Sequence, residues 1–140
     1  MSEGAIVRDY VPSDFEAIRR IHEETQIDYS LPDLNSRLFL VTKVLELDGV
    51  VRAALGCRLE VECYLWLDKS DWGDAEQKLL TIVALDRESM EALWLKGIDC
   101  AVVYLPPGMD RFGERLEKEF GFTRPRAGWM AFSKRTGEKK

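Results

Sequence analysis

The chain reads FLVTKVLEL-DG-VVRAALGC over residues 39–57, and this stretch decides the fold. Two apolar runs flank Asp48-Gly49, and an Asp-Gly pair between such runs is the strongest short-range signal for a β-hairpin. The stretch therefore predicts one strand over 39–47 and a return strand over 50–57.

A third strand is predicted after a turn near Arg58, because residues 61–67 alternate in character. Successive strand residues point to opposite faces of a sheet. One face would carry Val61, Cys63, Leu65 and Leu67, and the other Glu60, Glu62, Tyr64 and Trp66. Three successive antiparallel strands would make a meander.

A long helix is predicted next, over residues 74–96, because apolar residues recur there at spacings of three and four. Gly97 is a suitable C-terminal cap. The nearly continuous apolar run 98–105 predicts a buried strand, and the intervening helix permits it to lie parallel to the strand over 61–67. A strand over Leu79–Leu85 is the alternative.

The N-terminal part predicts a strand over residues 5–10, then a helix. Ser13 and Glu16 have the spacing of a capping box, and apolar residues at helical spacing extend the helix to about Glu24. Residues 25–37 lack periodicity, which predicts a connecting loop or a segment bordering a substrate site.

The C-terminal part predicts a helix over 109–120 capped by Gly121, a last strand over 128–134 and a frayed tail over 135–140. The predicted order is β-α-β-β-β-α-β-α-β. This describes a single α/β (α+β) domain over residues 1–140, with one mixed sheet covered by helices on both faces.

Composition favours a globular protein over nucleic-acid-binding and membrane classes. The 140 residues are 46% hydrophobic and carry a formal net charge of −5, whereas phosphate binding usually needs a basic surplus. Apolar runs are far shorter than the roughly 20 residues of a spanning helix. The N-terminus shows no signal-peptide pattern, and three cysteines in apolar runs predict buried thiols, so a reducing cytoplasm is the expected location.

Three stretches together resemble the GNAT superfamily of N-acetyltransferases over nearly the whole chain. They are Val7–Phe15 as first strand and helix start, Val44–Gly56 as the central hairpin, and Leu116–Phe122 as the end of the last helix. The resemblance implies transfer of an acyl group, typically acetyl from acetyl-CoA, to a small-molecule or peptide amine. The resemblance also implies that a homodimer could form through a sheet edge. The alternative is a catalytically inactive module that keeps this fold for structure or interaction.

The resemblance further implies where acetyl-CoA would be held. Backbone N–H groups of Leu65, Trp66 and Leu67 would receive the thioester arm, and Gly73, Asp74 and Ala75 would surround the pyrophosphate at the start of the long helix. The loop departs from the family pattern, because Ser70 replaces an expected Arg or Gln and carboxylates stand nearby. These are Asp71, Asp74 and Glu76, of which Asp74 and Glu76 have an ordinary structural explanation as helix-capping groups.

Glu62 is the candidate general base, since the resemblance places such a group on this strand and neighbouring aromatic residues could half-bury it. An exposed glutamate at a sheet edge is the alternative. Glu117 and Asp110 occupy positions where the family carries a tyrosine and an asparagine, but Glu117 reads as a surface residue. His22, the single histidine, and Trp72, in a charged loop, have no assigned role, and no metal site is predicted.

Overall fold

The computed structural model describes residues 3–26, 29–125, 130–132 and 136, and shows a mixed α+β protein. Its strands are β1 (Ala5–Asp9), β2 (Phe39–Leu47), β3 (Val50–Arg58), β4 (Val61–Glu62) and β5 (Ala101–Val102). Its α-helices are α1 (Phe15–Thr25), α2 (Ala75–Leu95) and α3 (Asp110–Phe120). No helix within these ranges is both long enough and apolar enough to cross a membrane.

The described residues form two compact units. The first contains residues up to Tyr64 together with Leu93–Val102, and the second contains Leu65–Ala92 and the residues from Val103 onward. The first unit therefore holds all five strands and α1, whereas the second holds α3 and most of α2.

The predicted hairpin is confirmed: β2 and β3 pair antiparallel around Asp48 and Gly49. Both turn residues have positive φ, +51° and +78°, as a two-residue turn between twisted strands requires. β1 pairs antiparallel with the other edge of β2, in the sheet order β1-β2-β3. The three-stranded antiparallel sheet thus exists, but its third member is β1.

β4 does not extend this sheet, so the predicted meander and single mixed sheet are not found among the described residues. β4 pairs with β5, and the pair is parallel as expected. The backbone hydrogen bonds after β3 explain this difference. The N–H of Leu59 donates to the carbonyl of Leu38, and the N–H of Val61 donates to the carbonyl of Cys100.

Both strands of this pair are also shorter than the predicted 61–67 and 98–105. The side chains beyond β4 are open to solvent, with Tyr64 65% and Trp66 82% exposed. An extended segment whose large aromatic side chains stay exposed gains little from its alternating pattern.

The helices agree closely with the pattern of apolar residues. α2 includes the whole run Leu79–Leu85, which excludes the strand alternative, and Gly97 follows it with a φ of +77°. α3 ends as predicted at Gly121, whose N–H donates to Leu116. The strand over 128–134 lies mostly outside the described residues, and 130–132 are not in a strand; all of the tail except residue 136 lies outside them too.

The core of the first unit lies between α1 and the three-stranded sheet. Ile18 on α1, Val44 on β2 and Val51 on β3 are buried together, and Val44 is only 1% exposed. Burial of one such side chain contributes about 1.5–3 kcal/mol. Leu31 and Leu34 pack against this cluster, so the segment before β2 is part of the core, although it is not in a regular element.

The N-cap residue of α1 is Asp14, not the predicted Ser13, and its side chain forms no hydrogen bond to the helix, so the predicted capping pair Ser13 and Glu16 is not found. Asp14 is buried, accepts two hydrogen bonds of 2.8 Å from Arg8, and accepts a third of 2.9 Å from the N–H of Val11. A short 3₁₀ turn, Pro12–Asp14, precedes the helix and delays its start to Phe15. The hydrogen bonds from Arg8 hold the pKa of the Asp14 carboxyl below its usual range, against the opposing effect of burial.

The buried-thiol prediction is wrong for Cys57, which is exposed on β3, while Cys63 and Cys100 are half-buried. The register explains this outcome. Val44, in the core, pairs with Ala54. Cys57 is three residues further along β3, so its side chain lies on the sheet face opposite α1.

Candidate functional site

The parallel pair β4–β5 ends beside Glu62, the predicted general base. Glu62 is paired in register with Val102, and the next N–H, that of Cys63, donates to the Val102 carbonyl at 2.8 Å. No strand continues through 63–74 or 103–109 in the described chain. Glu62 is therefore the last residue of β4 that pairs with β5, and the backbone is hydrogen-bonded on both sides of it.

Glu62 acts on Tyr64, two residues further along the chain. A hydrogen bond to the Glu62 carboxylate, with some desolvation, raises the pKa of Tyr64 above its usual value. The half-buried setting expected for Glu62 is not found, because its side chain is exposed.

Polar contacts at the other end of the pair hold β4 against β5. Arg58 forms an ion pair with Asp99, and the Cys100 thiol lies 3.8 Å from a carboxylate oxygen of Glu60. Burial, followed by the nearby Glu60 charge, raises the pKa of Cys100. Glu60 and Glu62, two residues apart, thus have different partners.

The loop before α2 is organised by its own polar groups. The carboxylate of Asp68 accepts the N–H of Ser70 at 2.8 Å, and its carbonyl accepts the indole N–H of Trp72 at 3.0 Å. The Lys78 ammonium lies 5.6 Å from the centre of the Trp72 ring, within cation–π range. The hydrogen bonds from Ser70, with a smaller effect of Lys78, lower the pKa of Asp68.

The start of α2 carries a reciprocal cap. The Asp74 carboxylate accepts the N–H of Gln77 at 2.8 Å, and the Gln77 side-chain oxygen accepts the N–H of Asp74 at 3.1 Å. This arrangement is a capping box with Asp and Gln. A Cβ on Gly73 would lie 2.8 Å from that Gln77 oxygen, so only glycine fits beside the cap without displacing it.

The structure brings together Gly73, Asp74 and Ala75 at the first turn of α2, as predicted. Leu65, Trp66 and Leu67 follow β4 without strand structure and are 41%, 82% and 37% exposed. These six predicted cofactor-binding residues belong to the second unit, whereas Glu62 belongs to the first. Their cofactor role remains a prediction.

The other candidates have structural partners. Glu117 forms an ion pair with Arg124, and Asp110 is the first residue of α3. The His22 ring lies 5.4 Å from that of Tyr29. Within the described ranges, no group of three or more His, Cys, Asp or Glu side chains is placed to hold a metal ion.

Sequence reasoning missed two contacts at the candidate site. The Lys78–Trp72 contact had no signal, since a lysine in a helix is ordinary and the ring belongs to the preceding loop. The Asp74–Gln77 cap did have a sequence signal, because an acidic residue followed three residues later by Gln, before an apolar run, is a helix-start pattern.

Comparisons with models of known protein families, with curated proteins and with solved structures find no match to this chain.

Proposed function

We propose that this protein is an acyl-CoA-dependent N-acyltransferase of the GNAT type, acting on a small-molecule or peptide amine, with acetyl-CoA as the expected donor. The observation that carries the proposal is the parallel pair β4–β5, connected through α2, with Glu62 at the rung where pairing stops. A site beyond the carboxyl ends of parallel strands is the usual location for ligands in sheets of this kind.

The reaction assigns a simple task to each group. The amine nitrogen forms a bond to the thioester carbonyl carbon, the carbon–sulfur bond breaks, and the sulfur leaves as a thiolate that takes a proton from solvent. Glu62 accepts the proton that the amine loses, and backbone N–H groups of Leu65–Leu67 receive the thioester arm. Positioning of two reactants supplies much of the rate in such a mechanism.

Gly73 and Ala75 support the proposed placement of the pyrophosphate, because small residues at a helix start allow backbone N–H groups to approach an anion. Asp74 opposes it, since its carboxylate already accepts the N–H of Gln77. This second observation favours another candidate function, a catalytically inactive module of the same fold whose α2 start is a purely structural cap.

Binding of acetyl-CoA separates the two functions. An acyltransferase is expected to show saturable binding by calorimetry, and acetyl-CoA at one hundred times its Kd should raise the free energy of unfolding by about 2.7 kcal/mol. Adenosine diphosphate, which lacks the thioester arm, is the control ligand and should bind much more weakly. The absence of binding at millimolar acetyl-CoA would contradict the acyltransferase and favour the inactive module.

The double variant Ser70→Arg, Asp74→Asn tests where the pyrophosphate binds. Asparagine caps a helix about as well as aspartate, while the two changes add one positive charge and remove one negative charge. We expect acetyl-CoA to bind about tenfold more tightly, a gain of about 1.4 kcal/mol. Asp71→Asn, in the same loop but outside the cap, is the matched control. Equal affinity in the double variant and wild type would place the pyrophosphate elsewhere.

A further inference from the structure

We propose that one face of α2 binds the same face of α2 in a second copy of this chain, with the two helices antiparallel. This face, the α2 stripe, is formed by Leu80, Val83, Ala84, Arg87, Glu91, Trp94 and Leu95. None of these residues is assigned to the acyl transfer proposed above.

The α2 stripe is one side of a continuous helix. An α-helix turns by about 100° per residue, so residues three, four, seven or eleven positions apart lie on the same side. All seven side chains of the stripe are exposed. Half-buried residues of α2, among them Leu79, Ile82 and Leu93, lie on the other side of the helix. The stripe therefore faces away from the residues that α2 packs against in its own chain.

Both ends of the stripe are apolar. Leu80, Trp94 and Leu95 are 60%, 71% and 78% exposed. The solvent face of a helix usually carries polar residues, and a contiguous apolar surface commonly marks an interaction site. Removing these side chains from water would be favourable, so both ends of the stripe gain from a partner.

Two opposite charges occupy the middle of the stripe. Arg87 and Glu91 are four residues apart, but they do not pair with each other. Arg87 lies 3.4 Å from its neighbour Glu88, in a contact open to solvent, and Glu91 has no ion pair within the part of the chain that the structure describes. Arginine before glutamate is also the weaker order for a pair within one helix. Both charges are thus available to a partner.

A second copy is the partner that these charges select. When two α2 helices lie antiparallel, with a two-fold axis midway between Arg87 and Glu91, each Arg87 faces the partner's Glu91. The two-fold symmetry makes this ion pair twice. A parallel arrangement in register would instead bring Arg87 next to the partner's Arg87, and like charges oppose association.

The same register matches the apolar ends of the stripe. It places Ala84 opposite the partner's Trp94, so a small side chain leaves room for a large one. It also places Val83 opposite the partner's Leu95. One register therefore satisfies both the charges and the side-chain sizes, which favours a second copy over an unrelated protein.

Charge reversal tests the interface by sedimentation equilibrium of the full chain, from micromolar to millimolar concentration. Wild type is expected to form a reversible dimer. Arg87→Glu and Glu91→Arg should each raise the dimer Kd by at least about tenfold, because each places like charges opposite one another twice. Both positions are exposed, so the circular dichroism spectrum and the unfolding midpoint should not change. Arg115→Glu and Glu114→Arg, at exposed positions of α3, are the matched controls and should leave the Kd unchanged.

Two rescue experiments test the antiparallel register. The double variant Arg87→Glu, Glu91→Arg restores both ion pairs, keeps the net charge of wild type and should dimerise with a Kd near the wild-type value. An equimolar mixture of the two single variants should form a heterodimer, because every glutamate of one chain then faces an arginine of the other.

Three results would overturn the proposal. A wild-type chain that is monomeric at millimolar concentration would leave the stripe to a different partner. A wild-type Kd in both single variants would place the dimer interface elsewhere. Failure of the double variant and of the mixture to recover the dimer would exclude the antiparallel register.

Discussion

Replacing Glu62 by glutamine is expected to lower the turnover of acyl transfer by about 100- to 10,000-fold, the usual contribution of a positioned general base. Glutamine has nearly the same shape, but it cannot accept the proton that the attacking amine loses. The measurement is release of free thiol from acetyl-CoA in the presence of a panel of primary amines. Because Glu62 is exposed, the substitution should leave the unfolding midpoint unchanged.

Glu60→Gln provides the matched control for this experiment. It makes the same chemical change two residues earlier on the same strand side, at a carboxylate that contacts the Cys100 thiol. Calorimetry on Glu62→Gln should show undiminished acetyl-CoA affinity, which separates chemistry from binding. Unchanged turnover in this variant would remove Glu62 from the mechanism.

Replacing Asp14 by alanine is expected to cost about 2–3 kcal/mol of unfolding free energy. The side chain is buried, and its removal leaves the Val11 N–H without its acceptor and takes from the Arg8 guanidinium one of its two carboxylate partners, the other being Glu46. The lost contacts lie directly before α1, the helix that supplies Ile18 to the core. The measurement is unfolding in urea monitored by circular dichroism.

Asp9→Asn is the matched control for the stability test. Asp9 pairs with Lys43 at 2.5 Å, but its side chain is 79% exposed, and surface pairs contribute little. Its substitution should change the free energy of unfolding by less than about 0.5 kcal/mol. A loss as small as this in Asp14→Ala would show that the Arg8–Asp14 contact does not support the fold.

The same carboxylate predicts the response to acid. Because the pKa of Asp14 is lower in the folded than in the unfolded chain, its contribution is present above the unfolded value near pH 4 and is lost as pH falls through the folded value. Unfolding free energy below pH 4 should therefore decline more steeply in wild type than in Asp14→Asn. Parallel declines would contradict this assignment.

Local chemistry made much of the fold predictable from sequence. The Asp48-Gly49 turn, the spacing of apolar residues in α2 and the glycine after α3 each determine structure within a few residues, and the structure agrees with all three. The partners of β1 and β4 could not be predicted, because pairing depends on backbone groups far apart in sequence. Strand alternation beyond Glu62 misled, because no strand continues there and the Trp66 side chain is 82% exposed.

The candidate site was likewise predictable only where local sequence determines the structure. The position of Gly73, Asp74 and Ala75 at the start of α2 followed from the apolar spacing that begins there. The ammonium of Lys78 over the Trp72 ring depends on how a loop folds back onto a helix, and no local pattern encodes it.

The Asp74–Gln77 cap has a consequence for any anion that approaches the start of α2. A carboxylate tethered a few bonds from its partner N–H competes at an effective concentration in the millimolar range or above, whatever the amount of protein in solution. A simple monovalent anion at lower concentration cannot displace it. A ligand that binds the Gln77 N–H must therefore first displace the tethered carboxylate of Asp74.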